Sequence, residues 1–499
     1  MASEGLEYGS AGFQQGVDRL LASYRAIPEG SGVRLAKKTS NLFRKRAANP
    51  APGLDVSGLD RVISVDPEAR TAQVAGMCTY EDLVDATLPY GLVPLVVPQL
   101  KTITLGGAVT GLGIESTSFR NGLPHESVLE MEILTGAGDL IVARPDNEHS
   151  DLFFGFPNSY GTLGYSVRLE IQLEQVPPFV ELRHVRFTSI RDLQKEMIAI
   201  AARREYHGER VDYLDGVVFS HDESYLVLGR QSDEPGPVSD YTGMEIFYRS
   251  IQHSNVDEPK RDRLTIRDYL WRWDTDWFWC SRAFGAQNPK VRRFWPKRYL
   301  RSSFYWKLIG YDQRWDIGDR LNARKGLPPG ERVVQDIEVP IERTADFVEW
   351  FLDEIPIEPI WLCPLELAFD GARAAGGSES ESEQARAADE APSGDDARAV
   401  ATGPDQPWPL YPLKRGHGYT NVGFWSAVPE TPGEPGYTNR RIERRVSELD
   451  GHKSLYSESF YPEDEFDELY GSDAYRALKA KYDARGRLLS LYEKAVKRA

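Results

Sequence analysis

The run TLGGAVTGLGIES at 104–116 concentrates residue types that suit a phosphate-bearing ligand. Gly106, Gly107, Gly111 and Gly113 fall within eight positions, among Thr104, Leu105, Thr110, Ile114, Glu115 and Ser116. Glycine allows close backbone approach and positive φ, so amide N–H groups can point at an anion. The same spacing equally suits a tight buried turn with no ligand. It is not the G-x-G-x-x-G of a βαβ unit, because no strand pattern directly precedes it and no clear helix pattern follows. The loop Lys37-Lys38-Thr39-Ser40-Asn41 offers hydroxyls and backbone donors to a pyrophosphate, or is a plain solvated loop. Gly161, Thr162 and Gly164 form a small-residue turn ahead of a strand pattern.

Proton chemistry has four candidate donors. These are Tyr456 and Glu458 in LYSES, His417 in RGHG, and Glu366 after WLCP. Each is a residue type that serves as a general acid when its pKa suits, and each also suits ordinary core hydrogen bonding. No H-E-x-x-H, C-x-x-C or G-x-S-x-G occurs, so zinc and serine-triad chemistry have no local support and no metal is expected. The stretch 269–306 mixes Trp271, Trp273, Trp277, Trp279, Trp295 and Tyr305 with Arg292, Arg293, Lys297 and Arg298. It fits a membrane-surface patch, an apolar substrate wall, or core.

The elements that must position these residues follow from periodicity. Phe13, Val17, Leu20, Leu21 and Tyr24 recur at helical spacing. Strands are expected at 61–66 and 71–75, and Thr79 opens a helix that Gly91 stops. A hairpin is expected over 128–143, turning at 136–139, with a short helix at 146–155 and another strand at 165–173. Further strands are expected at 181–187, 216–219 and 225–228, with helices at 190–202, 344–352 and 475–496. The order suggests an α+β protein with boundaries at 1–177, 178–370, 371–405 and 406–499. The segment 371–405 is low-complexity and carries −5 of the chain's −16, and it is expected to be disordered.

At 499 residues two domains are expected. A net charge of −16 argues against nucleic acid as partner. Three widely spaced cysteines fit a reducing compartment. The N-terminus lacks a basic and an apolar signal region, so a cytoplasmic protein, with peripheral contact at the inner membrane face, is expected.

Taken together the pieces resemble the vanillyl-alcohol oxidase type of FAD-binding domain. More narrowly, the chain resembles the delta-24-sterol reductase (diminuto-like) family of FAD-linked oxidoreductases. The resemblance is carried by TLGGAVTGLGIES, Gly122, Leu134, Gly138, SDLF at 150–153 and GTLG at 161–164. In the second half it is carried by FGAQNP at 284–289, VVQD at 333–336 with Val339 and Pro340, and PIWLCP at 359–364. It implies a two-lobed fold, with an FAD lobe, a substrate lobe over the flavin ring, and C-terminal helices packing back on the FAD lobe. It implies that Lys38, Thr39, Ser40, Asn41, the 104–116 run and the 161–164 turn hold FAD. No His occurs before His125, so the FAD should be non-covalent. It further implies NADPH as electron donor and reduction of an isolated C=C bond in a lipid substrate. One branch of such flavoproteins looks like a partner of lipid methyltransferases, reducing a methylene-branched fatty acyl chain of phospholipid to a methyl branch. A sterol side chain, a hydroxy-acid or sugar dehydrogenase, and a non-catalytic lipid-binding protein are the alternative readings.

Overall fold

The computed structural model describes residues 9–37, 53–315, 317–324, 326, 328–368 and 406–497. The loop residues Lys38, Thr39, Ser40 and Asn41, and the segment 371–405, lie outside the described residues.

The chain opens with the helix Gly9–Ala26, which buries Phe13, Val17, Leu20 and Tyr24 along one stripe. Six strands then form an antiparallel sheet. They are β1 Val62–Asp66, β2 Thr71–Ala75, β3 Leu92–Pro94, β4 Val128–Thr135, β5 Leu140–Ala143 and β6 Gly164–Gln175. Their order is β1-β2-β6-β4-β5, and β3 also pairs with β6. Thr79 caps the helix Tyr80–Thr87 by accepting from the Asp82 N–H, and Gly91 ends the following turn at φ 71°.

The second lobe is built on an eight-stranded antiparallel sheet. Its strands are β7 Phe179–Phe187, β10 Tyr213–Ser220, β11 Glu223–Ser232, β12 Lys260–Thr265, β13 Gly330–Pro340, β14 Ile360–Leu365, β15 Tyr419–Pro429 and β16 His452–Lys453, with a small ribbon of β8 Glu205–Tyr206 and β9 Glu209–Arg210 beside it. The order is β12-β7-β11-β10-β14-β15-β13-β16. One face carries Leu214, Leu362, Val422, Phe424 and Ile337 and packs against the helices Ile190–Arg203, Thr344–Glu354 and Tyr437–Glu448. The other face belongs to a core that runs continuously into the first lobe. β13, β14 and β15 have no counterpart among the expected strands. Their runs mix acids, Cys and Asn with apolar residues, because their second face is buried against protein and still polar.

The 475–496 helix is broken in the structure. It runs Asp473–Tyr482, stops at Asp483, and resumes at Leu491–Ala495. Asp483 turns its carboxylate back onto the N–H groups of Arg487 and Leu488, and Gly486 takes φ 60°. Helical spacing of Leu478, Tyr482 and Leu489 does not register this capping. The tail fastens to the first lobe: Lys479 donates to the Thr162 carbonyl, and the Val33 N–H donates to the Arg487 carbonyl.

Candidate active site

The glycine run is itself a short helix, Leu105–Thr110, capped by Thr104, whose hydroxyl accepts from the Gly107 N–H at 3.2 Å. None of its four glycines has a positive φ. Glycine is needed there for close packing instead. A Cβ on Gly106 would sit 2.2 Å from Ser166 Oγ and 2.6 Å from the Gly76 carbonyl, and one on Gly113 would sit 2.8 Å from both Pro98 and Pro124. Positive φ belongs to the second turn, at Gly161 and Gly164.

Both ends of the run are tied to the second lobe. At one end, the Tyr160 N–H donates to the Thr110 carbonyl at 2.7 Å, and the Tyr160 hydroxyl accepts from the Leu455 N–H at 2.9 Å. Thr110 Oγ1 donates back to the Gly106 carbonyl. At the other end, Ile114 offers its carbonyl to Gln99, and Ser116 offers its own to the Leu214 N–H at 2.8 Å. Glu115 Oε1 accepts from Arg272 Nη2 at 2.7 Å, and the same nitrogen reaches Asp215 Oδ2 at 3.0 Å. Trp273 and Trp361 donate their indole N–H groups to that Asp215 oxygen, and the Ser116 and Tyr269 hydroxyls lie 2.8 Å apart. Burial pushes the Glu115 carboxyl up against the opposing pull of Arg272. Breaking a buried set of this kind by removing one partner costs about 3–5 kcal/mol, so Arg272 locks the lobes together.

Between these ties lies a polar row on the inner face of the large sheet. Cys363 pairs with Asn421, and Asn421 with Glu338; Asp215 follows on from the Leu362–Gly216 pair. Paired residues share a face, and four strands span about 14 Å. One step along, Trp361 and Asp336 flank Gly423, whose missing side chain leaves room for the Asp336 carboxylate. Asn421 Nδ2 donates to Asp336 Oδ1 at 3.2 Å, and Ser454 donates to Glu338. Tyr456 joins this group through its hydroxyl, which accepts from Trp425 Nε1 at 3.1 Å. Loss of hydration pushes Asp336 up to about 6, opposed by hydrogen bonds from Asn421 and Tyr456. It pushes Glu338 and the Tyr456 phenol well above their usual ranges, with Asp336 adding to both. Burial likewise keeps Cys363 a neutral thiol. Around the row stand Trp273, Phe278, Trp279 and Trp425, with Phe278 4.0 Å from Trp425.

The expected residues therefore separate. Thr104 to Ser116, Gly161, Thr162 and Gly164 come together with Tyr456. Glu458 is half-buried, and its backbone carbonyl accepts from the buried Lys453. His417 is exposed, with Nδ1 3.0 Å from the Arg415 carbonyl, and the Glu366 side chain is exposed. Asp215, Arg272, Asp336, Glu338, Cys363 and Asn421 were not singled out from sequence as site residues. The signal available for two of them was an acid at i and i+2, Asp336 and Glu338, among the apolar Val333, Val334, Ile337 and Val339.

The residues present suit FAD. Ser159 Oγ, Asn158 Nδ2, Ser457 Oγ and Ser459 Oγ are buried without a hydrogen-bond partner, and they lie in the two segments that meet at Tyr160 and Leu455. Orphaned donors of this kind, beside two glycine-containing segments, match a ligand with ribityl hydroxyls and phosphate oxygens. Among the described residues, no group of His, Cys, Asp and Glu is placed to hold a metal, and no helix is long and apolar enough to cross a membrane.

Residues 29–144 match the family model described as FAD binding domain. Over 89% of its length the chain is 25% identical to the Delta(24)-sterol reductase of Arabidopsis thaliana, covering 76% of that protein. The Delta(24)-sterol reductase of Homo sapiens is 25% identical over the same shares of each chain. Cytokinin dehydrogenase 9 of Oryza sativa subsp. japonica is 31% identical over 31% of this chain and 29% of its own. The matched FAD domain coincides with the lobe that holds the glycine run, and the long matches extend through the sheet that faces it. The chain is an FAD-dependent oxidoreductase with an FAD-binding domain over residues 29–144, and over most of its length it is similar to Delta(24)-sterol reductases.

Proposed function

We propose that the protein uses non-covalent FAD and NADPH to reduce an isolated C=C bond in a lipid. The substrate we assign is a methylene-branched fatty acyl chain of phospholipid, reduced to a methyl branch after a lipid methyltransferase has made it. The observation that carries the reading is the wall opposite the glycine run. It is made of Trp273, Phe278, Trp279, Trp361 and Trp425, and its carboxyls are those of Asp215, Asp336 and Glu338. Arg272 is already engaged by Glu115 and Asp215, so this apolar wall offers no unpaired guanidinium to the carboxylate of a hydroxy acid. The wall suits an uncharged hydrocarbon.

Bound FAD, once reduced, supplies hydride to one alkene carbon. The other carbon needs a proton. Tyr456 is the donor we favour, since its raised pKa keeps the phenol protonated and Asp336 lies beside it. Asp336 positions that hydroxyl and, when protonated, leaves the phenol hydrogen free to be given up. Arg272 and Tyr160 hold the two lobes in register, which fixes the distance between donor and glycine run and excludes water.

A second reading, a sterol side chain, is favoured by the identity to Delta(24)-sterol reductases across 89% of the chain. One anaerobic experiment separates the readings. Holoprotein is bleached with NADPH, then mixed with methylene-branched phospholipid, with desmosterol, or with neither. Reoxidation by the phospholipid alone supports the acyl assignment, and reoxidation by desmosterol alone moves it to sterols. If neither lipid reoxidises the flavin while a hydroxy acid bleaches it, lipid alkene reduction is excluded.

A further inference from the structure

The segment 290–325 departs from the rest of the chain in charge. It holds eleven Lys and Arg against three Asp, a net of +8 in a protein of −16. It also carries the most exposed large apolar residue of the described chain. Phe294 is 82% exposed, Tyr311 59% and Trp315 53%. Lone exposed apolar side chains are ordinary, but aromatic residues interspersed with cations over one segment are not. Lys290, Arg293, Lys297 and Arg298 surround Phe294 in sequence and are all exposed. Of these four only Lys297 has an acid nearby, Asp240 at 3.5 Å between two exposed side chains. Arg298 lies over the Tyr299 ring and Arg314 over the Trp315 ring, arrangements that leave the cationic groups available.

The same segment continues inward to the wall of the candidate active site. Trp295 meets Phe304 edge-on at 6.0 Å, Phe304 meets Tyr305 at 6.4 Å, and Tyr305 stacks on Trp277 at 6.3 Å. Trp277 is followed by Phe278, which contacts Trp425. Rings in contact therefore run from Trp295, beside exposed Phe294, inward to Trp277, the sequence neighbour of Phe278 in the hydrocarbon wall.

We propose that the exposed face of 290–315 is a docking surface for an anionic phospholipid bilayer, with Phe294, Tyr311 and Trp315 entering the headgroup boundary and the surrounding Lys and Arg pairing with lipid phosphates. Charge complementarity argues for this occupant. Outside 290–325 the chain carries a net −24, so an anionic surface repels the remainder on balance, and the patch fixes orientation as well as affinity. Aromatic side chains with a basic rim suit the bilayer interface, where one end of the side chain is apolar and the other wet. The docking places the ring series, and so the wall, against the phase that holds the lipid. This deepens the lipid-reductase reading and rests on it only for what passes inward.

The test needs no turnover. Purified flavin-loaded protein is mixed with vesicles of phosphatidylcholine, with and without phosphatidylglycerol at about one-third of the lipid, and the bound fraction is read by flotation at low and high salt. We expect binding to the anionic vesicles at least tenfold tighter than to the neutral ones, and weakened by salt. Replacing Lys290, Arg293, Lys297 and Arg298 together by Gln should remove that preference, while F294A with W315A should weaken binding to both kinds of vesicle. Both variants should keep their FAD and reduce detergent-dispersed substrate as the parent does. Equal binding of the parent to neutral and anionic vesicles, or unchanged binding by the Gln variant, overturns the proposal. A parent of twice the chain mass by light scattering, returned to monomer by the same substitutions, would assign the surface to a second copy and overturn it too. If vesicles bind as expected and no lipid reoxidises the flavin, the docking surface stands and the substrate reading falls.

Discussion

Asp336 and Tyr456 are half-buried, while Asn421 and Glu338 beside them are closed off. A pair of titratable groups partly open within an otherwise sealed wall is where proton delivery is best placed. If Tyr456 is the donor, as proposed, an ionised Asp336 draws its hydrogen toward the carboxylate and holds it back from substrate. Alkene reduction should therefore slow as pH rises through about 6. In D336N the step near that pH should vanish, and Y456F should lower the alkene-reducing rate by about 10²–10⁴-fold while leaving flavin reduction by NADPH intact. Rapid-mixing measurement of the two half-reactions across pH checks all three. Equal slowing of both half-reactions in Y456F would place the tyrosine in flavin binding instead. The same group has a signed effect on stability. The folded state keeps the Asp336 proton to a higher pH than the unfolded chain does. Its contribution is thus present below the unfolded value near 4 and lost as pH climbs through about 6. Little of this was legible in the residues themselves. VVQDIEVP alternates, and two acids at i and i+2 read as a solvated face. Only the pairing of β13 with β15 turns that face inward.

At the scale of elements, local signals were read more fully. Thr79 with Asp82, the 128–143 hairpin and the stripe on the first helix are set by contacts within a few residues, which is what periodicity and capping patterns record. Contacts made at a distance were not. The glycines of the run suited either ligand-facing backbone or a tight buried turn, and Gly106 is held against Gly76 and Ser166, which are 30 and 60 residues away. The run thus acts as a spacer that seats the helix Leu105–Thr110 on β6. G106A should force that helix off the sheet, costing about 1–3 kcal/mol and releasing FAD on purification. G107A faces only Thr104 Oγ1 of its own cap at 2.8 Å and should be milder. Denaturant midpoints and the flavin absorbance of the two purified variants give the comparison, and equal losses would refute the packing account.

Over the whole molecule, the two lobes share one core, and the tail returns across the first of them. The Gly371–Asp405 composition was legible as low-complexity sequence, but where its flanks go was not. Both flanks end at Glu126. Its Oε2 accepts from the Ala368 N–H at 3.2 Å and its Oε1 from Trp408 Nε1 at 3.2 Å, with the Trp408 ring 4.5 Å from that of His125. Where a chain departs and returns at one carboxylate, the closure entropy grows only slowly with the length that joins the two points. Deleting residues 376–403 should leave FAD content and melting temperature within the error of the parent. Loss of flavin on deletion would show that the segment holds the fold. E126Q keeps an acceptor for Trp408 but turns an amide NH2 toward the Leu123 and Ala368 N–H groups that Oε2 accepts from, and should cost about 1–3 kcal/mol.

Glu126 thus behaves as a buckle that secures both ends of a strap. A protein buckled there can be opened at that point without being unfastened elsewhere. New termini made between 376 and 403, with the native ends joined by a linker, should yield a circular permutant, and a reporter spliced into the same place should ride on an unaltered enzyme.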